Sequence, residues 1–87
     1  MTQVAELKRE ALRIAHLLRL GQEVQAQLDM VFLAERLQGF AAGARAGEMA
    51  AWVDWIGRTM ACQEAQDWLG LADYLEYELQ ELFGRAV

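Results

Sequence analysis

His16 and Cys62 are the only histidine and cysteine in the chain, and with no serine present any nucleophilic chemistry would centre on them. A nucleophile works when it is held beside a base, and nothing in the spacing brings these two together. A lone cysteine in an apolar helical segment is ordinarily a small core residue. His16 falls on the flank of the first helical segment beside Arg9 and Arg13, the place of a boundary histidine. A carboxylate-bridged metal centre would need Glu-x-x-His on facing helices, but Arg13 occupies the matching position and would repel a cation. One histidine and one cysteine also fall short of a zinc site, and the acidic residues do not follow a calcium-loop pattern. Asp73 and Glu76, three residues apart on one helix face, could hold a divalent ion loosely, but a solvated acidic face is the reading that explains them. Gly39, Gly43 and Gly47 follow no strand and precede no lysine, so they do not form a phosphate loop. The residues therefore assign no catalytic, cofactor-binding or metal role, and a noncatalytic protein is expected.

The elements that would position any site are helices. Proline, serine and asparagine are absent while alanine and leucine dominate, so helix formers fill nearly every segment. The all-α expectation is about four antiparallel helices, roughly 3–20, 22–42, 48–62 and 66–84, forming a small bundle in a single domain over residues 1–87. Val4, Leu7, Ala11, Ile14 and Leu18 make one stripe in the first helix, which Gly21 ends. In the third, Met49, Val53, Ile56 and Met60 make the predicted stripe, with Trp52 on its flank and Trp55 beyond it. Trp68, Ala72, Leu75, Leu79 and Leu82 make the fourth, with Leu71 and Phe83 alongside. ACQEAQD contains no breaker, so residues 48–84 could be one long helix. The phase of the stripe shifts between Met60 and Trp68, however, which favours a tight turn near residues 63–67 with Asp67 as N-cap.

The second helix carries two apolar sides. At about 100° per residue, Val24, Leu28 and Val31 lie together, and Ala26, Met30, Leu33, Leu37 and Phe40 lie nearly opposite. A helix in a single-layer bundle needs one such stripe. The glycines at 39, 43 and 47 then read either as a small-xxx-small ridge for close helix approach or as a helix end followed by a turn.

The formal net charge is −5 and unevenly spread. Residues 1–21 hold four basic against two acidic side chains, and residues 47–87 hold two against eight. An acidic surface repels phosphate, which weighs against nucleic acid and anionic membranes, and a helix-turn-helix would place its reading helix among these acids. Pairing of Arg9, Arg13 and Arg19 with acids of the fourth helix is expected, within one chain or across a dimer. The N-terminal residues do not have the form of a secretory signal, no apolar run is long enough to span a membrane, and one cysteine cannot form an internal disulfide. A cytoplasmic location is the expectation.

The stretch CQEAQDWLGLADYLEYEL, residues 62–79, resembles the closing segment of a family of short, uncharacterised bacterial helical proteins. Gln63, Asp67, Trp68, Leu71, Ala72, Asp73, Leu75, Glu76, Tyr77, Glu78 and Leu79 carry the likeness. The resemblance implies a helical fold and a bacterial source, and it transfers no catalytic residue.

Two features point to a docking surface. Tyr74 and Tyr77 share a stripe opposite the buried side of the fourth helix, where tyrosine offers apolar area with a hydroxyl that can stay wet. Met30, Leu33, Leu37 and Phe40 of the second helix, left in water, would expose roughly several hundred Å² of apolar surface, the upper range for soluble monomers, unless that helix lies centrally and touches the other three. Met30, Leu33, Leu37, Phe40, Trp55, Tyr74 and Tyr77 are therefore the expected partner-binding residues. The partner would be a protein, self or another chain, with a homo-oligomer expected and no cofactor. The functional expectation is a noncatalytic interaction module, a homodimer or a small adaptor or chaperone-like regulatory subunit. The alternative is an enzyme or small-ligand-binding helical protein with polar groups turned into the bundle.

Overall fold

The computed structural model describes residues 2–43 and 46–86, and among these the chain is all helix. Helix α1 spans Thr2–Arg19, α2 Glu23–Ala41 and α3 Ala46–Glu64. The C-terminal helix has three parts: α4 over Trp68–Asp73, a π-helical turn over Tyr74–Glu78, and α5 over Leu79–Ala86. The predicted helices are all present, and the turn before Asp67 separates the last two. Gly39 lies inside α2, Gly43 in the turn after it, and Gly47 in the first turn of α3, while Ala44 and Arg45 lie outside the described residues.

Two helix ends show how the backbone is stopped. After α1, Gly21 takes φ +78°, Gln22 N–H donates to Leu17 O at 2.9 Å and Gly21 N–H to Leu18 O at 3.2 Å. This is the double bond of a Schellman cap, with glycine in the left-handed position. After α3 the same device recurs without glycine. Gln66 takes φ 56°, Asp67 N–H donates to Cys62 O at 2.8 Å and Gln66 N–H to Gln63 O at 3.1 Å. Asp67 then caps α4, its Oδ1 accepting from Gly70 N–H at 3.0 Å. A Cβ at position 70 would run into the Asp67 carboxylate, so Gly70 is the residue that leaves room for the cap.

Helix α1 is the axis of the bundle. Its buried row of Leu7, Ala11, Ile14, Ala15 and Leu18 meets α2 on one side and the C-terminal helix on the other. Arg13 bonds Glu10 on its own helix and Asp29 of α2 at 2.8 Å, and Glu6 pairs with Arg36 of α2 at 3.6 Å. Moving from Glu6 to Arg13 along α1 moves from Arg36 back to Asp29 along α2, the register of an antiparallel pair. Arg19 meets Asp73 at 2.8 Å and Glu76 at 2.7 Å, as expected for a basic first helix beside an acidic last one. Arg13 departs from that expectation, because α2 offers Asp29 nearer to it.

Helix α3 lies against the C-terminal helix and meets α2 at few points. At one end the gap is closed by aromatic rings. Phe40, Trp52 and Phe83 are mutually edge-to-face with centroids 5.5 to 5.7 Å apart, and Trp55 lies 6.5 Å from Trp52. The buried side of α3 is therefore Trp52, Trp55 and Thr59, not the Met49–Val53–Ile56–Met60 stripe. Met49 and Ile56 are half-buried at the edge, while Val53 and Met60 are exposed.

The left-handed Gln66 carries a Cβ clash that glycine would avoid, a conformation costing about 1 to 2 kcal/mol in an L-residue. Gln66→Gly is expected to stabilise the chain by about 0.5 to 1 kcal/mol once the added flexibility of the unfolded state is counted. Urea denaturation measures it, and a loss of stability would show that the Gln66 side chain contributes something beyond the turn.

Candidate interaction face

The seven residues expected to bind a partner do not form one surface. Met30, Leu33 and Leu37 are buried in the chain's own core with Ala26 and Ala41, and Trp55 is 3% exposed. Phe40 is half-buried in the aromatic cluster. These five are interior residues of the single chain and not the exposed row expected, although Met30 and Trp55 still reach the wall of a groove between α2 and α3. For the four on α2 the physical reason is the length of their row, which runs from Ala26 to Ala41 and covers most of the helix, whereas the opposite row is confined to its first half; Trp55 is buried by the packing of α3 on the aromatic cluster.

Tyr74 is half-buried against the core at the π turn. Its carbonyl accepts Trp55 Nε1–H at 3.2 Å as well as the Leu79 N–H five residues on. The neighbouring Tyr74 hydroxyl, and after it the Asp54 carboxylate, hold the Arg58 guanidinium above its ordinary pKa. Tyr74 is thus a latch between α3 and the C-terminal helix, and Tyr77 alone of the pair stays well exposed, at 64%.

The other apolar side of α2 remains uncovered. Val24, Leu28 and Phe32 recur every four residues, with Val31 beside them, and all four are more than half exposed. On α3, Val53 and Met60 are exposed, and Val31 and Met60 meet at one groove between the two helices. Two adjoining grooves run along the α2/α3 seam. One, of about 310 Å³, has Met30, Val31, Ala34, Trp55 and Met60 among its lining residues. The other, of about 350 Å³, is lined by Ala41, Ala42, Met49, Trp52 and Val53, and Gln38 and Ile56 border both. Glu35 is the one charged residue on either wall.

The groups singled out for chemistry are placed otherwise. His16 is exposed on α1. Asp73 and Glu76 together hold a cation, but it is the guanidinium of Arg19. No cluster of three or more potential metal ligands occurs among the described residues. Thr59 is the buried polar side chain of the core, and its hydroxyl donates to Ile56 O at 2.8 Å. Cys62 is half-buried at the edge of the core, and burial pushes its thiol pKa up, with the Asp67 charge adding to the shift.

No helix of the described residues is long and apolar enough to cross a membrane. Comparison with protein-family models, with curated proteins and with solved structures finds no match.

Because the folded Cys62 thiol keeps its proton to higher pH than the unfolded one, its linked stability is present below the unfolded thiol's range and lost as pH rises through the folded value. Native Cys62 is accordingly expected to react with iodoacetamide several-fold more slowly than the urea-unfolded chain at about pH 8, the gap narrowing at higher pH. Equal rates at the lower pH would contradict the assignment.

Proposed function

We propose that this chain is a noncatalytic helical interaction module, a homodimer or a small adaptor or chaperone-like subunit, whose docking surface is the exposed apolar side of α2 together with the outer edge of α3. The single observation behind this reading is that surface itself. At their fractional exposures Val24, Leu28, Val31 and Phe32 on α2 and Val53 and Met60 on α3 leave on the order of 600 Å² of residue surface in water, divided between the seam and the outer side of α2. Each such side chain is worth about 1.5 to 3 kcal/mol when fully buried, which exceeds any exposed ion pair on the molecule. Binding that covers this face therefore has a large driving force before association costs are met.

The same reading gives the chain a cytoplasmic place and, through the likeness of residues 62–79 to short bacterial helical proteins, a bacterial source. The single cysteine, which cannot form an internal disulfide, supports the first. Tyr77, exposed on the C-terminal helix, would lie outside this docking surface or at its margin.

The test pairs a hydrophobic dye with hydrodynamic mass. A chain whose apolar face is functional is expected either to be covered, in an assembly, or to bind the dye when dilute and monomeric. The double variant Val31→Glu, Met60→Glu should abolish both behaviours and keep its melting temperature within a few degrees, since both residues are exposed. A wild-type monomer that binds neither dye nor protein would rule the reading out.

A further inference from the structure

We infer that the occupant of the α2/α3 face is a second copy of this chain, related by a two-fold axis that passes near Gly57. The inference rests on the docking surface proposed above and adds its partner.

Three observations favour self-association over a different protein. The first is charge. The chain is acidic overall, at −5, so two copies repel each other over most of their surface. The α2/α3 grooves are the exception, with Glu35 alone charged on their walls and the neutral amides of Gln38 and Gln63 among the remaining polar groups. A basic partner would be drawn to the acidic C-terminal half, whereas this face suits a molecule of like charge.

The second is area. A standard-size interface buries about 800 Å² on each partner, an apolar centre with a polar rim. The exposed apolar residues of α2 and α3 together carry on the order of 600 Å², and Gln38, Gln63 and Glu35 are the polar groups of the groove walls that would bond across it. An isologous interface requires both copies to present the same patch, which this one can do without any residue from elsewhere on the chain.

The third is glycine. Gly57 lies between Val53 and Met60 on the exposed edge of α3, and Gly39 lies on the exposed side of α2. Each sits inside a helix, where glycine costs roughly 1 kcal/mol relative to alanine. Around both, a Cβ would meet nothing within 4 Å, so no neighbour in the chain requires their smallness. A helix laid across the face at Gly57 would, because the missing Cβ lets two backbones approach closely. The crossing sets α3 of one copy over α3 of the other, with Val53 and Met60 of each flanking the contact.

The same open space makes the test clean. Gly57→Glu adds charge beside Val53 and Met60 on the exposed side of α3 and improves helix propensity, so circular dichroism is expected to show a chain as helical as wild type. Sedimentation equilibrium of the full chain is expected to give a dimer for wild type. It should give a dissociation constant raised at least ~100-fold by Gly57→Glu and by Val53→Glu. Leu12→Glu, which adds the same charge on the exposed side of α1, should leave the dimer intact. A wild-type dimer indifferent to Gly57→Glu and Val53→Glu would overturn the inference by placing the second copy elsewhere. A wild-type monomer at ~100 μM would overturn it too. If that monomer bound the dye through Val31 and Met60, the docking surface would survive with a different occupant, and if it bound nothing both would fall.

Discussion

Burial of two tryptophans sets the rotation of α3, and the rest of the exposed surface is a consequence of it. Trp52 and Trp55 are three residues apart and point to one side of the helix, where Trp52 meets Phe40 and Phe83 and Trp55 reaches the Tyr74 carbonyl. An indole buries about 150 to 250 Å², so the pair outweighs a row of valine and methionine at about 25 cal/mol per Å². The helix turns its tryptophans inward and leaves Val53 and Met60 at the rim. Because α3 then leans on the C-terminal helix, it cannot also cover the spare side of α2.

The π turn belongs to the same arrangement. One extra residue in the turn rotates the remainder of the C-terminal helix by about one residue's worth of angle, near 100°. That rotation brings Phe83 fully into the core with Leu79 and leaves Leu82 slightly more exposed. A π turn spaces its backbone groups unevenly, and here the Tyr74 carbonyl at its start receives the Trp55 indole N–H. The aromatic cluster, the irregular helix and the uncovered seam are consequences of one packing choice, and the seam is where an acidic chain presents its least charged surface.

Much of this architecture was legible residue by residue. The apolar rows of α1 and of the C-terminal helix are unambiguous because each has a single stripe, and Leu7, Ala11, Ile14, Leu18, Leu71, Leu75 and Leu79 are all buried. Asp67 signalled the last turn by its capping chemistry. The Arg19 pairing was foreshadowed by the opposed charges of the first and last helices. By contrast, Gln66 gave no sign of its left-handed backbone, and the π turn had no signature, since both depend on contacts made by distant residues.

The sequence by itself determined that the chain is helical and that α2 carries more apolar surface than one contact can cover, and it left open whether the chain's own helices would cover both sides. These are properties of composition and period, which act within a few residues. Only the tertiary structure decided which side is surplus. Periodicity counts apolar positions without weighing them, so Met30, Leu33, Leu37 and Phe40 looked as free to dock as Val24, Leu28 and Val31, and the Met49–Met60 stripe looked more regular than two tryptophans. Packing weighs area and shape, and it buried the longer row and the larger rings.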